Sequence, residues 1–447
     1  MSRLLIEGGT LIGLAEPGDV HPDTDLYAEG GAIRATGTQA RAQAASPGEP
    51  VERLDARGRW VIPGFVQAHL HLCQTILRNG PEGLELLPWL EHHIWPGEAA
   101  HDPETLDVSA RLGLAECLAS GVTAILDMGT VRHSDALFRA AGRAGIRYTG
   151  GNVLMDDADA TPVNLRARAE DGIAETERLR SYWHGRDRGR LSVAVQPRFA
   201  VACTERLLRM ASEYAADRKL IIHTHASENR SEVDLVRART GIGNLALLDR
   251  LGLLTSRTCV AHVVHPENGD GPRLAATGTT VVHCPSSNLK LASGVCPVSA
   301  LKAAGVRVAL GSDGAACNDR LDPFAEMRLA AVLPSTANPP GKLSAFDALR
   351  MATWEGASAL GLPGGNGLAP GGRADLVVLD PDAAWSIPHE WSPEPYAAIV
   401  FSMGPANVVA TVVDGVVRYR GNDPTVMGLK PRPAEIKTAV AKLKSRM

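Results

Sequence analysis

Residues 219–228 read KLIIHTHASE. An apolar run of strand length passes at its C-terminal end into histidines and a glutamate, so one short segment joins a buried strand to chemistry at its edge. Seven other segments are built the same way: WVIPGFVQA (60–68), GVTAILDM (121–128), IRYTGGN (146–152), LSVAVQPR (191–198), TCVAHVV (258–264), TTVVHCP (279–285) and RVALGSDG (307–314). Helical segments separate them, and six of the eight end in His, Asp, Glu or Arg. Strand–helix alternation over roughly 300 residues predicts an α/β protein with a (β/α)8 TIM barrel, slightly above its typical length of about 250, with the polar strand ends forming the catalytic rim.

The two ends of the chain have a different texture. Residues 1 to 60 alternate short β-prone pieces with turns, and the pattern returns in GLAPGGRADLVVLD (367–380) and VVATVVDGVVRYRGN (408–422). The expected organisation is one small β domain from residues 1–60 and 365–425, a catalytic barrel over 61–364, and a C-terminal helix over 426–447. In that helix Ile436, Val440 and Leu443 recur at i, i+4, i+7 beside basic residues, which suits docking on the protein's own body or a second subunit, or a membrane surface. The densely charged stretch 164–190 is mixed in sign and reads as a solvated helix; GLPGGNG (361–367) reads as turns, because no GK[ST] follows.

Composition narrows the function classes. With 45% hydrophobic and 21% charged residues, 45 Gly and 29 Pro, the chain of 447 residues is a globular protein and not a disordered or collagen-like one. Lys plus Arg at 46 against Asp plus Glu at 50 leaves a net charge of −4, no footprint for nucleic acid or an anionic membrane, and so favours a small-molecule partner. Seven scattered cysteines without CxxC spacing argue against a disulfide framework and a zinc knuckle, and fit a reducing cytoplasm. The opening MSRLLIEGGTLIGL lacks the apolar core of a signal peptide, and no later stretch reaches about 18 apolar residues. A cytoplasmic protein is expected.

His69 and His71 close the first barrel run, and residues two apart on a strand share a face, so both imidazoles can converge on one ion. The fifth run adds His225, with Glu228 three residues on; the sixth adds His262; the eighth ends in Asp313. Histidines and a carboxylate at several strand ends of one barrel are what a catalytic divalent metal needs: three or four N/O ligands and an open position for water. His223, deeper in the fifth strand, reads as a packed core histidine. A two-metal centre of this type would want a carboxylated lysine on the fourth strand, and LSVAVQPRFA has none, so one metal is expected.

PGFVQAHLH, HASE, AHVVH, HCPSSNLKLASG, GSDGAACND and GLAPGGRADLVVLD together resemble the amidohydrolase superfamily, in its cyclic-aminohydrolase branch, over nearly the whole chain. The resemblance implies a distorted (β/α)8 barrel with a small β-sandwich built from both termini. It also implies that His69, His71, His225 and Asp313 ligate one divalent ion, zinc or iron, while His262 hydrogen-bonds the attacking oxygen or the substrate. Such an ion lowers the pKa of its water from 15.7 to about 7; Asp313 would take the water proton and Glu228 would protonate a ring nitrogen, giving ammonia and a ring carbonyl. Relatives of this kind imply a homo-oligomer, dimer or larger.

Gln74, three residues after His71, and Pro197-Arg198-Phe199 resemble the HxHxxQ and PRF of guanine deaminases, where Gln and Arg bind the purine carbonyl and ring nitrogens and Phe stacks. The plainer reading of Arg198 is a structural ion pair. Pro88 before Trp89, and Arg198 in place of a histidine, depart from the deaminases of methylthioadenosine and S-adenosylhomocysteine, whereas GSDGAACNDRLDPFAEMRLA leans towards nucleoside, 8-oxoguanine and triazine hydrolases. The expected substrate is an amino-substituted, carbonyl-bearing N-heterocycle: a guanine-like purine, a pterin or an s-triazine, with a nucleoside as the alternative.

Overall fold

The computed structural model describes residues 2–337, 339–362, 367–383, 385–389, 391–421 and 428–447. Part of GLPGGNG and the expected boundaries at 365, 425 and 426 lie outside them. The central body is a barrel of eight parallel strands in chain order: Phe65–Leu70, Val122–Asp127, Arg147–Gly150, Leu191–Pro197, Ile221–Ala226, Thr258–His262, Thr280–His283 and Arg307–Leu310. Helices cover their outer faces, which is why the strands read as continuous apolar runs. Small residues, Ala68, Ala124, Ala194 and Ala309, fill the interior with Val66, Leu126 and Val282. Their neighbours Phe65, Ile125, Val193 and Val195 belong to the large core shared with the helices.

The barrel closes between its eighth and first strands through the Asp313 N–H to the His69 carbonyl (3.1 Å) and the Ser312 N–H to the Gln67 side chain (2.7 Å). Glycine is required at position 311, because an added Cβ would stand 2.6 Å from the His69 carbonyl oxygen. The closure thus places Asp313 beside the two histidines of the first strand.

Eight strands from both termini form a second sheet. Arg3–Ile12 pairs antiparallel with Val20–Glu29 and parallel with Glu52–Asp55 and Trp60–Pro63. Leu376–Leu379 then pairs with Trp60–Pro63 and Val408–Val413, and Val416–Arg420 follows; Ala32–Thr36 lies at the other edge. Leu4, Ile6, Leu26, Val61, Leu376, Val378 and Val412 form its own hydrophobic cluster. The run WVIPGFVQA is therefore split: Trp60–Pro63 joins the terminal sheet and Phe65–Leu70 starts the barrel. The break falls at Gly64, where a Cβ would meet Thr123 Oγ1 at 2.2 Å, a close approach hidden inside a continuous apolar run.

The charged stretch folds as the helix Ala169–Trp183. The last helix, Pro433–Lys444, buries Ala439 and Leu443 against the main core, with Ile436 and Val440 partly covered. Lys442 pairs with Glu104 and Arg446 with Asp102, so its apolar face docks on the protein's own body. All seven cysteines are buried free thiols. Among the described residues no helix is long and apolar enough to cross a membrane.

Candidate active site and metal centre

The C-terminal strand ends converge as the rim geometry of a barrel requires. His69 Nε2 and His71 Nε2 each stand 3.3 Å from Asp313 Oδ1, and His225 Nε2 stands 3.3 Å from His71 Nε2. Donor atoms arranged tetrahedrally at about 2.1 Å from a zinc ion lie about 3.4 Å apart, so these spacings match a four-ligand set. His69 Nε2 is buried and has no hydrogen-bond partner. Burial pulls the His69, His71 and His225 imidazoles below their ordinary value, which keeps them neutral and able to offer a lone pair. Burial alone would raise the Asp313 carboxyl, but the adjacent His69 and His71 rings hold it well below the carboxylate range. The donor set fits one divalent cation.

Neighbouring groups select the nitrogen each ring presents. His225 Nδ1 lies 2.7 Å from the Arg198 carbonyl, which accepts only, so Nδ1 carries the proton and Nε2 faces the cluster. His262 Nδ1 lies 2.8 Å from Asn288 Oδ1, and His262 Nε2 points at Glu228 Oε2 (3.4 Å) and Asp313 Oδ2 (4.0 Å). Ser287 donates to Asp313 Oδ2 at 2.6 Å. His223 is buried, as expected of a core residue, but it also touches the cluster: its Nε2 is 2.8 Å from His69 Nδ1, and its Nδ1 is 3.3 Å from Gln196 Nε2. Ser227, His262 and Asp313 all adopt left-handed backbone, with φ of 55°, 75° and 61°. That conformation costs about 1–3 kcal/mol at a non-glycine residue and is concentrated at functional sites.

A cavity opens over the cluster, lined by His71, His225, His262 and Asp313 together with Gln74, Arg198, Phe199 and Glu228. Leu86, Trp89 and Leu90 form its apolar wall. All nine residues singled out in the sequence thus come together in one place. Burial, and then the Asp313 carboxylate, push the Glu228 carboxyl well above its ordinary value against the opposing pull of Arg198. Its Oε1 has no partner. Its backbone N–H is held by Glu232 Oε2 at 2.7 Å.

Sequence reasoning overlooked Glu98, a buried carboxylate that pairs with Arg198 and accepts from Gln74 Nε2 at 2.9 Å. Arg198 is thus both an ion-pair partner and a cavity residue. His71, Cys73 and Glu98 also cluster, but burial pushes the Cys73 thiol well above its ordinary value and Glu98 is committed to Arg198, which leaves no thiolate for a second metal. Ser287 and Asn288 were within sight in HCPSSNLK, yet nothing in the motif's spacing says that two adjacent side chains serve two different strand ends.

The amidohydrolase family model matches residues 60–418. A 5-methylthioadenosine/S-adenosylhomocysteine deaminase of Symbiobacterium thermophilum is 34% identical over 447 residues, covering 99% of both chains. Among solved structures, a zinc-bound adenosine deaminase of Xanthomonas campestris superimposes with a TM-score of 0.88 at 30% identity over 99% of both chains. The E. coli guanine deaminase does so with a TM-score of 0.84 at 28% identity, covering 94% of this chain and 100% of its own. The chain belongs to the amidohydrolase family, in its cyclic-aminohydrolase branch, and is a metal-dependent hydrolase of carbon–nitrogen bonds in cyclic amidines.

Proposed function

We propose that the protein deaminates a guanine-like aminoheterocycle, a purine or pterin that carries a ring carbonyl. The observation that carries this reading is the placement of Gln74 and Arg198 in the same cavity as Glu228, with Gln74 Oε1 buried and unpaired. A lactam edge, HN–C=O, supplies the donor that Gln74 Oε1 lacks and a carbonyl for the Arg198 guanidinium.

His69, His71, His225 and Asp313 would hold one divalent ion, zinc by likeness to the Xanthomonas campestris structure. When bound, such an ion supplies Lewis acidity and a water acidic enough to attack at neutral pH. Glu228 donates its proton to the ring nitrogen beside the amine-bearing carbon as the water oxygen bonds to that carbon. Asp313 accepts the proton the water gives up, and His262 hydrogen-bonds the incoming oxygen. The proton on Asp313 passes to the amine, the C–N bond breaks and ammonia leaves, while the remaining hydroxyl proton returns to Glu228 and the carbon keeps its oxygen as a carbonyl. Phe199 packs against the ring.

The second reading is an adenosine-type nucleoside, favoured by the names of the Symbiobacterium thermophilum and Xanthomonas campestris relatives, which lean away from guanine. Ammonia release from guanine, pterin, adenosine, methylthioadenosine and an amino-s-triazine separates the two. The guanine-like reading expects the highest kcat/KM on guanine or pterin; turnover confined to adenosine and its 5′-modified relatives replaces it with the nucleoside reading.

A further inference from the structure

Glu98 lies near the end of the helix Trp95–Ala99 and is 5% exposed. Its carboxylate meets both arms of the Arg198 guanidinium, Nη1 on Oε2 and Nη2 on Oε1 at 3.1 Å, and accepts from Gln74 Nε2 on Oε1 at 2.9 Å. Burial works to raise the Glu98 carboxyl, and the charge of Arg198 outweighs it, so Glu98 is ionised. An ionised carboxylate only accepts. The NH2 end of the Gln74 amide must therefore face Glu98, and Oε1 is the end left without a partner. The same contact cancels the charge of Arg198 while leaving part of its five-donor fork unspent. An unpaired buried guanidinium would demand an anion; a neutralised one suits a neutral carbonyl.

We propose that Glu98 is the positioning residue of the substrate-recognition edge: by gripping Gln74 and Arg198 together it presents one acceptor beside one charge-neutralised donor, and so selects a neutral HN–C=O edge. The inference rests on the reading that Gln74 and Arg198 face the substrate. In a guanine-like ring the amine and its neighbouring ring nitrogen go to the reaction centre and the lactam edge reaches Gln74 and Arg198. In a 6-aminopurine nucleoside the amine and N1 are consumed at that centre, and with the sugar on N9 the edge left over has no ring N–H for Gln74.

The test is calorimetric binding of hypoxanthine and of unsubstituted purine to the metal-loaded protein, with KM and kcat for guanine measured separately. Hypoxanthine carries the lactam and no amine; purine lacks both. The wild-type protein is expected to prefer hypoxanthine by about tenfold, the scale of one well-made hydrogen-bonded edge. Glu98→Gln, whose NH2 must turn towards one of its two former donors, is expected to bring the ratio near one and to raise KM for guanine more than it lowers kcat, with bound metal unchanged. Glu98→Asp keeps the charge but withdraws it by one methylene, and is expected to lower the ratio by about threefold; it carries the test if Glu98→Gln does not fold. A ratio unchanged in the variant that folds, or near one in the wild type, overturns the proposal. Failure of guanine turnover with a Glu98-dependent ratio sinks the substrate reading alone, whereas guanine turnover with a Glu98-independent ratio sinks this one alone.

Discussion

Glu228 and Asp313 are two carboxyls in one cavity whose surroundings drive them apart. Burial and the nearby charge of Asp313 keep the proton on Glu228, while His69 and His71 strip it from Asp313. One group is thereby prepared to give a proton and the other to take one. Because the Glu228 value is raised, its proton is kept above the ordinary carboxyl range and is lost as the pH climbs through the raised value. The alkaline limb of kcat/KM is therefore expected to report Glu228. Glu228→Gln should retain the metal, lose about 10²- to 10⁴-fold in kcat and flatten that limb; a variant with wild-type turnover removes Glu228 from the chemistry. His69→Ala addresses the other half of the site. With one of four converging ligands gone, bound zinc measured by atomic absorption and ammonia release should fall together, and turnover in a metal-free His69→Ala protein would refute the metal assignment.

The segment after the seventh strand acts as a unit on two strand ends of the site. The short helix Pro285–Lys290 sends Ser287 to Asp313 and Asn288 to His262. Asn288→Ala should release the His262 ring while leaving the metal cluster intact, lowering kcat by about 10- to 100-fold, as outer partners of such sites commonly do. Metal content at the wild-type level is the accompanying control, and kcat within twofold of wild type would show that the ring is held by other means. The elements were legible in the sequence where one local signal carried them: eight apolar runs, six of them with a His, Asp, Glu or Arg at the C-terminal edge, and the i, i+2 pair of His69 and His71. What escaped was contact across long separations. Glu98 and Arg198 are 100 residues apart, and neither a glutamate in a helix nor an arginine after a strand announces the other. The split at Gly64 escaped because Trp60–Pro63 and Phe65–Leu70 are equally apolar, and only the partner sheets tell them apart. His223 could be recognised as buried, but the ring it touches depends on packing across the barrel interior.

At the scale of the molecule, catalysis and cohesion occupy opposite ends of the barrel. The reactive residues lie at the C-terminal ends of the strands, whereas Arg147 begins the third strand and reaches into the terminal sheet. Its Nε donates to Asp375 Oδ2 at 2.6 Å and its Nη2 to Asp414 Oδ1 at 3.3 Å. Asp375 Oδ1 in turn accepts the Asp414 backbone N–H at 2.8 Å, and Arg373 Nε lies 3.1 Å from Asp375 Oδ2. One buried carboxylate thus ties the barrel to two segments near the C-terminus, which are separated from Arg147 by more than 200 residues of chain. A paired buried charge contributes little net stability against a hydrophobic replacement, but removing one partner leaves buried donors unsatisfied. Asp375→Ala leaves Arg147 its 3.3 Å contact with Asp414, and should therefore cost about 1–3 kcal/mol and lower the melting temperature. The protein that remains folded should keep its metal and its KM, because the pair is remote from the cavity. A variant that melts normally would show that the terminal sheet is held to the barrel by its apolar contacts alone. A changed KM with unchanged melting would mean that this end of the barrel communicates with the rim.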